Sequence, residues 1–75
     1  MGQLEILEAI AQLTDELGRP VSKDEIIAAT GYTPHTTREA LIKLRHWCDV
    51  EVVTPAHDRR LFRYTLSERG RQRIG

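Results

Sequence analysis

The residues in this 75-residue chain that are grouped so as to do chemistry together are mainly its cations. Arg38 and Lys43 stand in one segment beside Thr33, His35, Thr36 and Glu39. Arg59, Arg60 and Arg63 stand in a second, and Arg69, Arg71 and Arg73 in a third. A guanidinium is a planar fork of donors that fits phosphate oxygens, carboxylates and the paired acceptors on a guanine edge, so the chemistry on offer is recognition by charge-assisted hydrogen bonds. Catalysis has no footing: there is no arrangement of nucleophile, base and orienting group and no glycine-rich phosphate loop, which predicts a non-enzyme without a cofactor. His46 and Cys48 raise a metal site, but a His-x-Cys pair lacks the further closely spaced ligands of tetrahedral zinc. Cys48 is the only cysteine, so an internal disulfide is impossible, in agreement with a reducing compartment.

The charge balance is zero, with eleven basic and eleven acidic residues, yet it is unevenly spread. Residues 1–30 carry two basic residues against six acidic ones, and residues 31–75 carry nine against five. Salt screens charges beyond about 8 Å, so an anion responds to the local face more than to the total. The basic half holds all the cationic groups named above, and Arg19 and Lys23 are the two basic residues of the acidic half. With 40% apolar and 29% charged residues the composition is that of a folded globular domain, and the length suits one domain spanning residues 1–75. No apolar run approaches the roughly 20 residues of a membrane span, and the amino terminus lacks the basic start of a secretory signal, so a cytoplasmic protein is expected, with no membrane partner.

The elements that must position these groups are legible from periodicity and caps. Ile6, Ile10, Leu13 and Leu17, with Leu7 alongside, recur at helical spacing over residues 4–17, and Gly18-Arg19-Pro20 stops that helix. Ser22 and Glu25 form a capping box for a second, short helix that buries Ile26, Ile27 and Ala29 and ends at Thr30-Gly31. Thr33-Pro34 reads as an N-cap with proline at the first helical position. In the third helix Thr37, Ala40, Leu41, Leu44 and Trp47 form the packing side, which leaves His35, Arg38, Glu39, Lys43 and His46 opposite. Two β-rich runs, 50–54 and 61–66, flank the polar turn 55–60 and predict a hairpin. Ser67 then caps a last short helix. The expected order is helix, helix, helix, strand, strand, helix, without repeats or linkers.

Residues 23–44, KDEIIAATGYTPHTTREALIKL, look like a helix-turn-helix with Gly31 in the turn, and the hairpin with the following Tyr64-Thr65-Leu66-Ser67-Glu68-Arg69-Gly70-Arg71 resembles the wing and final helix start of MarR-type and PadR-type winged-helix regulators. The likeness spans residues 4–74. It implies a mainly α fold: a three-helix bundle, a two-stranded wing and a short C-terminal helix. Thr30 and Thr37 stand where such motifs carry apolar residues, and their hydroxyls are expected to bond back to helix carbonyls. The resembled regulators continue into long dimerisation helices, whereas this sequence stops at Gly75.

The resemblance implies sequence-specific binding of double-stranded DNA and transcriptional regulation, with helix 34–47 in the major groove and wing 55–60 on adjacent backbone. It nominates Thr33, His35, Thr36, Arg38 and Glu39 as the residues nearest base edges. Arg38 is the expected guanine reader, the bland reading being a solvated arginine paired with Glu39 or Glu51. Glu39 either accepts from cytosine or repels phosphate. Thr36 contacts DNA or makes a local helix-start hydrogen bond, and Lys43 is a phosphate contact or a solvated charge. Arg59, Arg60 and Arg63 form the wing cluster. Arg69, Arg71 and Arg73 read as a solvated helix face, and Trp47 as core. The alternative function is a winged-helix protein–protein interaction module of a larger replication, transcription or viral assembly; zero net charge favours it, as does an apolar stripe on helix 1 widened by Leu4, Leu7 and Ala11, which could also form a homodimer. RNA binding ranks third, since exposed aromatics for base stacking are scarce.

Overall fold

Ile6, Leu7 and Ile10 fall on one side of the first helix, α1 (Gly2–Leu17), and all three are fully buried. The computed structural model describes residues 2–54, 57 and 62–74. After α1 come β1 (Val21–Ser22), α2 (Lys23–Thr30), α3 (Pro34–His46), β2 (Val50–Val53), β3 (Arg63–Leu66) and α4 (Glu68–Ile74). The core joins the α1 residues to Val21, Ile26, Ala40, Leu41, Leu44, Val50 and Leu66, so every element but α4 contributes a buried apolar side chain. Leu17, expected on the packing stripe, is exposed because the last turn of α1 runs beyond this core. Leu7 belongs to the core, which narrows the free apolar stripe proposed for α1.

The hairpin is present, but the sheet has three strands in the order β1-β3-β2, all antiparallel. β3 is central: Tyr64 pairs with Val21 on one side and Val52 on the other, and Arg63 with Ser22 and Val53. The third strand was not expected from the sequence, since two residues carry no periodicity of their own. The turn residues 55, 56 and 58–61, with Arg59 and Arg60 among them, lie outside the described residues.

Caps and turns follow the local sequence. Gly18 takes φ 68° and its N–H donates to the Thr14 carbonyl at 2.8 Å, closing α1 in the left-handed conformation glycine adopts without penalty. Ser22 Oγ accepts from the Glu25 N–H while Glu25 accepts from the Ser22 N–H at 2.9 Å, which is the expected capping box. Arg19 clamps the same carboxylate with two parallel hydrogen bonds of 3.0 and 2.9 Å. These contacts, the arginine first and the serine amide next, hold the Glu25 carboxyl at about 2, well below the usual carboxylate range.

The junction of α3 with α4 is held by several hydrogen bonds and by ion pairs. The α3 end is a Schellman motif: the Asp49 N–H donates to the Leu44 carbonyl at 2.9 Å and the Cys48 N–H to that of Arg45 at 3.0 Å. Cys48 sits at the left-handed position with φ 63°, where glycine is the common choice. Ser67 then ties the two helices together. Its N–H donates to the Asp49 carbonyl, its hydroxyl to the Cys48 carbonyl, and its Oγ accepts the Gly70 N–H at 3.1 Å as the cap of α4. The Asp49 carboxylate is fully buried, with Arg73 Nε at 3.1 Å and Arg69 Nε at 4.0 Å. The contact with Arg73 lacks the alignment of a hydrogen bond, so charge attraction holds the pair. Arg73 also lies over the Trp47 ring, 5.8 Å from its centroid. Arg69, Arg71 and Arg73 lie exposed, as a solvated face requires, yet Arg73 and, at the limit of an ion pair, Arg69 also face the buried carboxylate. Trp47 is not core but 43% exposed, since it follows the last turn of α3.

Gly70 is buried where α4 crosses Asp49, and a Cβ there would stand 2.1 Å from the Asp49 carbonyl oxygen. Gly70→Ala is expected to lower stability by about 1–3 kcal/mol, because a backbone atom must move to admit the methyl; an unchanged denaturant midpoint would show that α4 docks loosely. The Glu25 carboxyl lies lower in the folded than in the unfolded state, so its contribution is complete above the unfolded value near ~4.3 and fades as pH falls toward about 2. Glu25→Gln should remove that part of the acid-induced loss of stability, as read by urea titrations across this window.

Candidate nucleic-acid interface

The site begins with the turn that aims α3. Gly31 at φ 77° closes α2, its N–H donating to the Ile27 carbonyl at 2.8 Å. Thr30 Oγ1 donates back to the Ile26 carbonyl at 2.9 Å, as expected, and accepts from the Tyr32 N–H. The Tyr32 hydroxyl donates to the Glu5 carboxylate and so pins the turn to α1; this contact raises the Tyr32 pKa. No local signal linked Tyr32 to Glu5, which stand 27 residues apart.

Thr33 caps α3. Its Oγ1 accepts the Thr36 N–H at 3.2 Å and donates to Thr36 Oγ1 at 3.0 Å. Pro34 occupies the first turn, where its missing N–H is no loss. The local hydrogen bond weighed for Thr36 is thus present, and it uses the Thr36 hydroxyl as an acceptor, leaving its proton to be donated outward. The first turn of α3 carries no acidic residue, in contrast with Asp24 and Glu25 at the start of α2, so its positive dipole end is not neutralised.

The inner face of α3 is buried through Thr37, Ala40, Leu41 and Leu44. Trp47, assigned to this face from spacing, is instead the exposed C-cap. The Thr37 hydroxyl finds no hydrogen-bond partner among the described residues, so it does not bond back as Thr30 does. With that face fixed, the exposed face is set by the 3.6-residue turn: Thr33, His35, Thr36, Arg38, Glu39 and Lys43 are all exposed, together with Ile42 and His46. Among the described residues Arg38 forms no ion pair with Glu39 or Glu51, and Lys43 forms none either, so both cations remain uncommitted. Ile42, 51% exposed, sits one turn beyond Arg38 on this face; it is assigned to neither side from the sequence, although the 38, 39, 42, 43 spacing places it outside.

Arg63 is half-buried on β3, with its Nη1 3.5 Å from the Pro20 carbonyl, close to where β2 and β3 leave the sheet toward the turn. It stands on a different element from the α3 group, and Arg59 and Arg60 fall outside the described residues. Beside it in β3, the Tyr64 hydroxyl is raised in pKa by burial, against an opposing pull from Arg45. Two clefts elsewhere border α1. One of about 290 Å³ runs between α1, β3 and α4, lined by Thr14, Asp15, Thr65 and Arg71. The other, about 440 Å³, is lined by Leu4, Leu7, Leu44, Trp47 and Arg73. Among the described residues no three His, Cys, Asp or Glu side chains gather as a metal site, and no helix is long and apolar enough to cross a membrane.

The sequence matches no family profile and no curated protein. The structure resembles the winged-helix region of MarR-family transcriptional regulators. Against MepR of S. aureus, a variant structure, the TM-score is 0.85 at 18% identity, covering 97% of this chain and 51% of that one; a further MepR variant is solved bound to an oligodeoxyribonucleotide. BpsR of Bordetella bronchiseptica, whose structure concerns regulation of its DNA binding by 6-hydroxynicotinic acid, gives 0.82 at 24% identity over 96% of this chain and 51% of its own. The transcriptional regulator BldR of Sulfolobus solfataricus gives 0.77 at 22% identity, covering 96% and 48%. The chain therefore spans about half the length of these regulators, and at such identities the likeness establishes the fold, a winged helix-turn-helix.

Thr33→Ala removes the acceptor for the first turn of α3 and should cost about 1 kcal/mol, whereas Thr36→Ala, whose backbone N–H makes the cap bond, should cost far less. Equal losses in chemical denaturation would contradict the capping geometry.

Proposed function

We propose that this chain binds double-stranded DNA sequence-specifically and acts in transcriptional regulation, with α3 in the major groove and the wing on adjacent backbone. The single observation that carries the reading is the exposed face of α3, where Arg38 and Lys43 point to solvent without an ion-pair partner among the described residues while the opposite face is locked in the core. Arg38 reads guanine through its fork, His35 and Thr36 meet the backbone or base edges near the helix start, and Glu39 accepts from cytosine or limits nonspecific binding. Lys43, Arg59, Arg60 and Arg63 neutralise phosphate. The solved relatives of this fold support the assignment, MepR by its oligodeoxyribonucleotide complex and BldR by its role as a transcriptional regulator. The chain needs no cofactor for this work and performs it in the cytoplasm.

A second reading is favoured by one observation: Leu4 is 47% exposed beside the exposed Trp47 on the cleft between α1, α3 and α4. That apolar patch suits a protein partner or a second copy of the chain. Gel retardation on a random duplex pool, run beside sedimentation, separates the two, since absence of retardation at low salt supports the protein-binding class.

For four to six phosphate contacts the log–log salt slope should be about −4 to −5. Arg38→Ala should relax base preference at one position by about 1–3 kcal/mol, while the double change Arg59→Ala with Arg60→Ala should weaken all sequences alike. The reverse pattern would refute these roles.

A further inference from the structure

Building on the DNA-binding reading, we infer that Ile42 is a specificity residue that reads the 5-methyl group of a thymine, one helical turn from the base read by Arg38. The face of α3 that carries His35, Arg38, Glu39, Lys43 and His46 is otherwise polar, and Ile42 stands in its middle, four residues after Arg38 and four before His46. It is the one large apolar side chain exposed on this face among the described residues, and at 51% exposure it contributes nothing comparable to the buried Leu41 beside it. A helix surface that served only solubility would gain from a polar group here. A surface that enters a groove has a use for an aliphatic side chain, because the thymine methyl is the only apolar feature that a base pair presents in the major groove.

Geometry narrows the position. Four residues advance a helix by about 6 Å, and stacked base pairs are about 3.4 Å apart, so the methyl contacted by Ile42 lies roughly two base pairs from the guanine contacted by Arg38. The acceptor edges of that guanine and the methyl are both major-groove features, so one helix placement serves both. The side chain is β-branched and nearly fixed at χ1 in a helix, which presents its methyl groups without ordering a flexible chain. Glu39 and Lys43 flank it and supply the polar border that keeps the exposed apolar area small.

The test uses duplexes selected by the whole chain from a random pool, with each thymine replaced in turn by deoxyuridine, which lacks only the methyl. Replacement at the thymine one to three base pairs from the guanine whose preference is lost in Arg38→Ala should weaken binding about fourfold, the worth of one buried methyl-sized group. In Ile42→Ala the ratio of thymine to deoxyuridine affinity at that position should fall to near one, and in Ile42→Val it should stay above two. Because Ile42 is exposed, both variants should keep the circular dichroism and thermal midpoint of the parent. Selected duplexes with no thymine in the window, or a methyl effect that survives Ile42→Ala, overturn the assignment while leaving DNA binding intact. Failure to select any duplex overturns the DNA-binding reading as well.

Discussion

Everything outward in this domain depends on how α3 is rotated about its own axis, and burial of Leu41 and Leu44 sets that rotation. A fully buried leucine is worth about 1.5–3 kcal/mol relative to an exposed one, so turning α3 by a third of a revolution would forfeit a large part of the stability of so small a domain. Ala40 lets the helix approach closely and Thr37 fills the start of the same stripe. The positions of Arg38, Glu39, Ile42 and Lys43 toward solvent are then consequences of packing and of the helical period alone. The exposed face is largely polar because the apolar side chains of α3, Ile42 apart, are buried in the core.

Two polar devices hold the ends of that helix. At its start, the Tyr32 hydroxyl on Glu5 and the Thr33 cap fix the entry from α2. At its end, the Schellman turn through Cys48 delivers Asp49 into the interior, where Arg69 and Arg73 meet it from α4. A buried carboxylate is costly unless compensated, and here the compensation comes from residues 20 and 24 positions later in the chain. The arrangement couples the end of the candidate recognition helix to the last helix of the fold, α4.

Much of this was readable in the residues themselves. Ser22 with Glu25, Gly31 and Thr33-Pro34 act through neighbours three or four positions away, and the helix starts they mark are where the sequence placed them. What escaped depends on partners distant in sequence. β1 exists only because β3 returns more than forty residues later to pair with it. The Asp49 cluster needs α4 docked, and Trp47 was assigned inward because helical spacing was extended one residue past the point where the helix ends. Ile42 is assigned to neither face from the sequence, although its spacing from Arg38 sets it outward. The wing cations Arg59 and Arg60 were nominated from charge and turn chemistry and fall outside the described residues.

Ser22 has two commitments at once: it closes the first turn of α2 and it is a rung of the ladder beside Arg63. A strand of two residues would ordinarily be free to slide by one step along its neighbour, since so few hydrogen bonds oppose it. Here a slide would tear the serine from its helix, so the alignment of the hairpin stem is inherited from a helix start. Lengthening or shortening the segment between Gly18 and Ser22 would accordingly disturb the base of the wing, far along the chain from the edit itself.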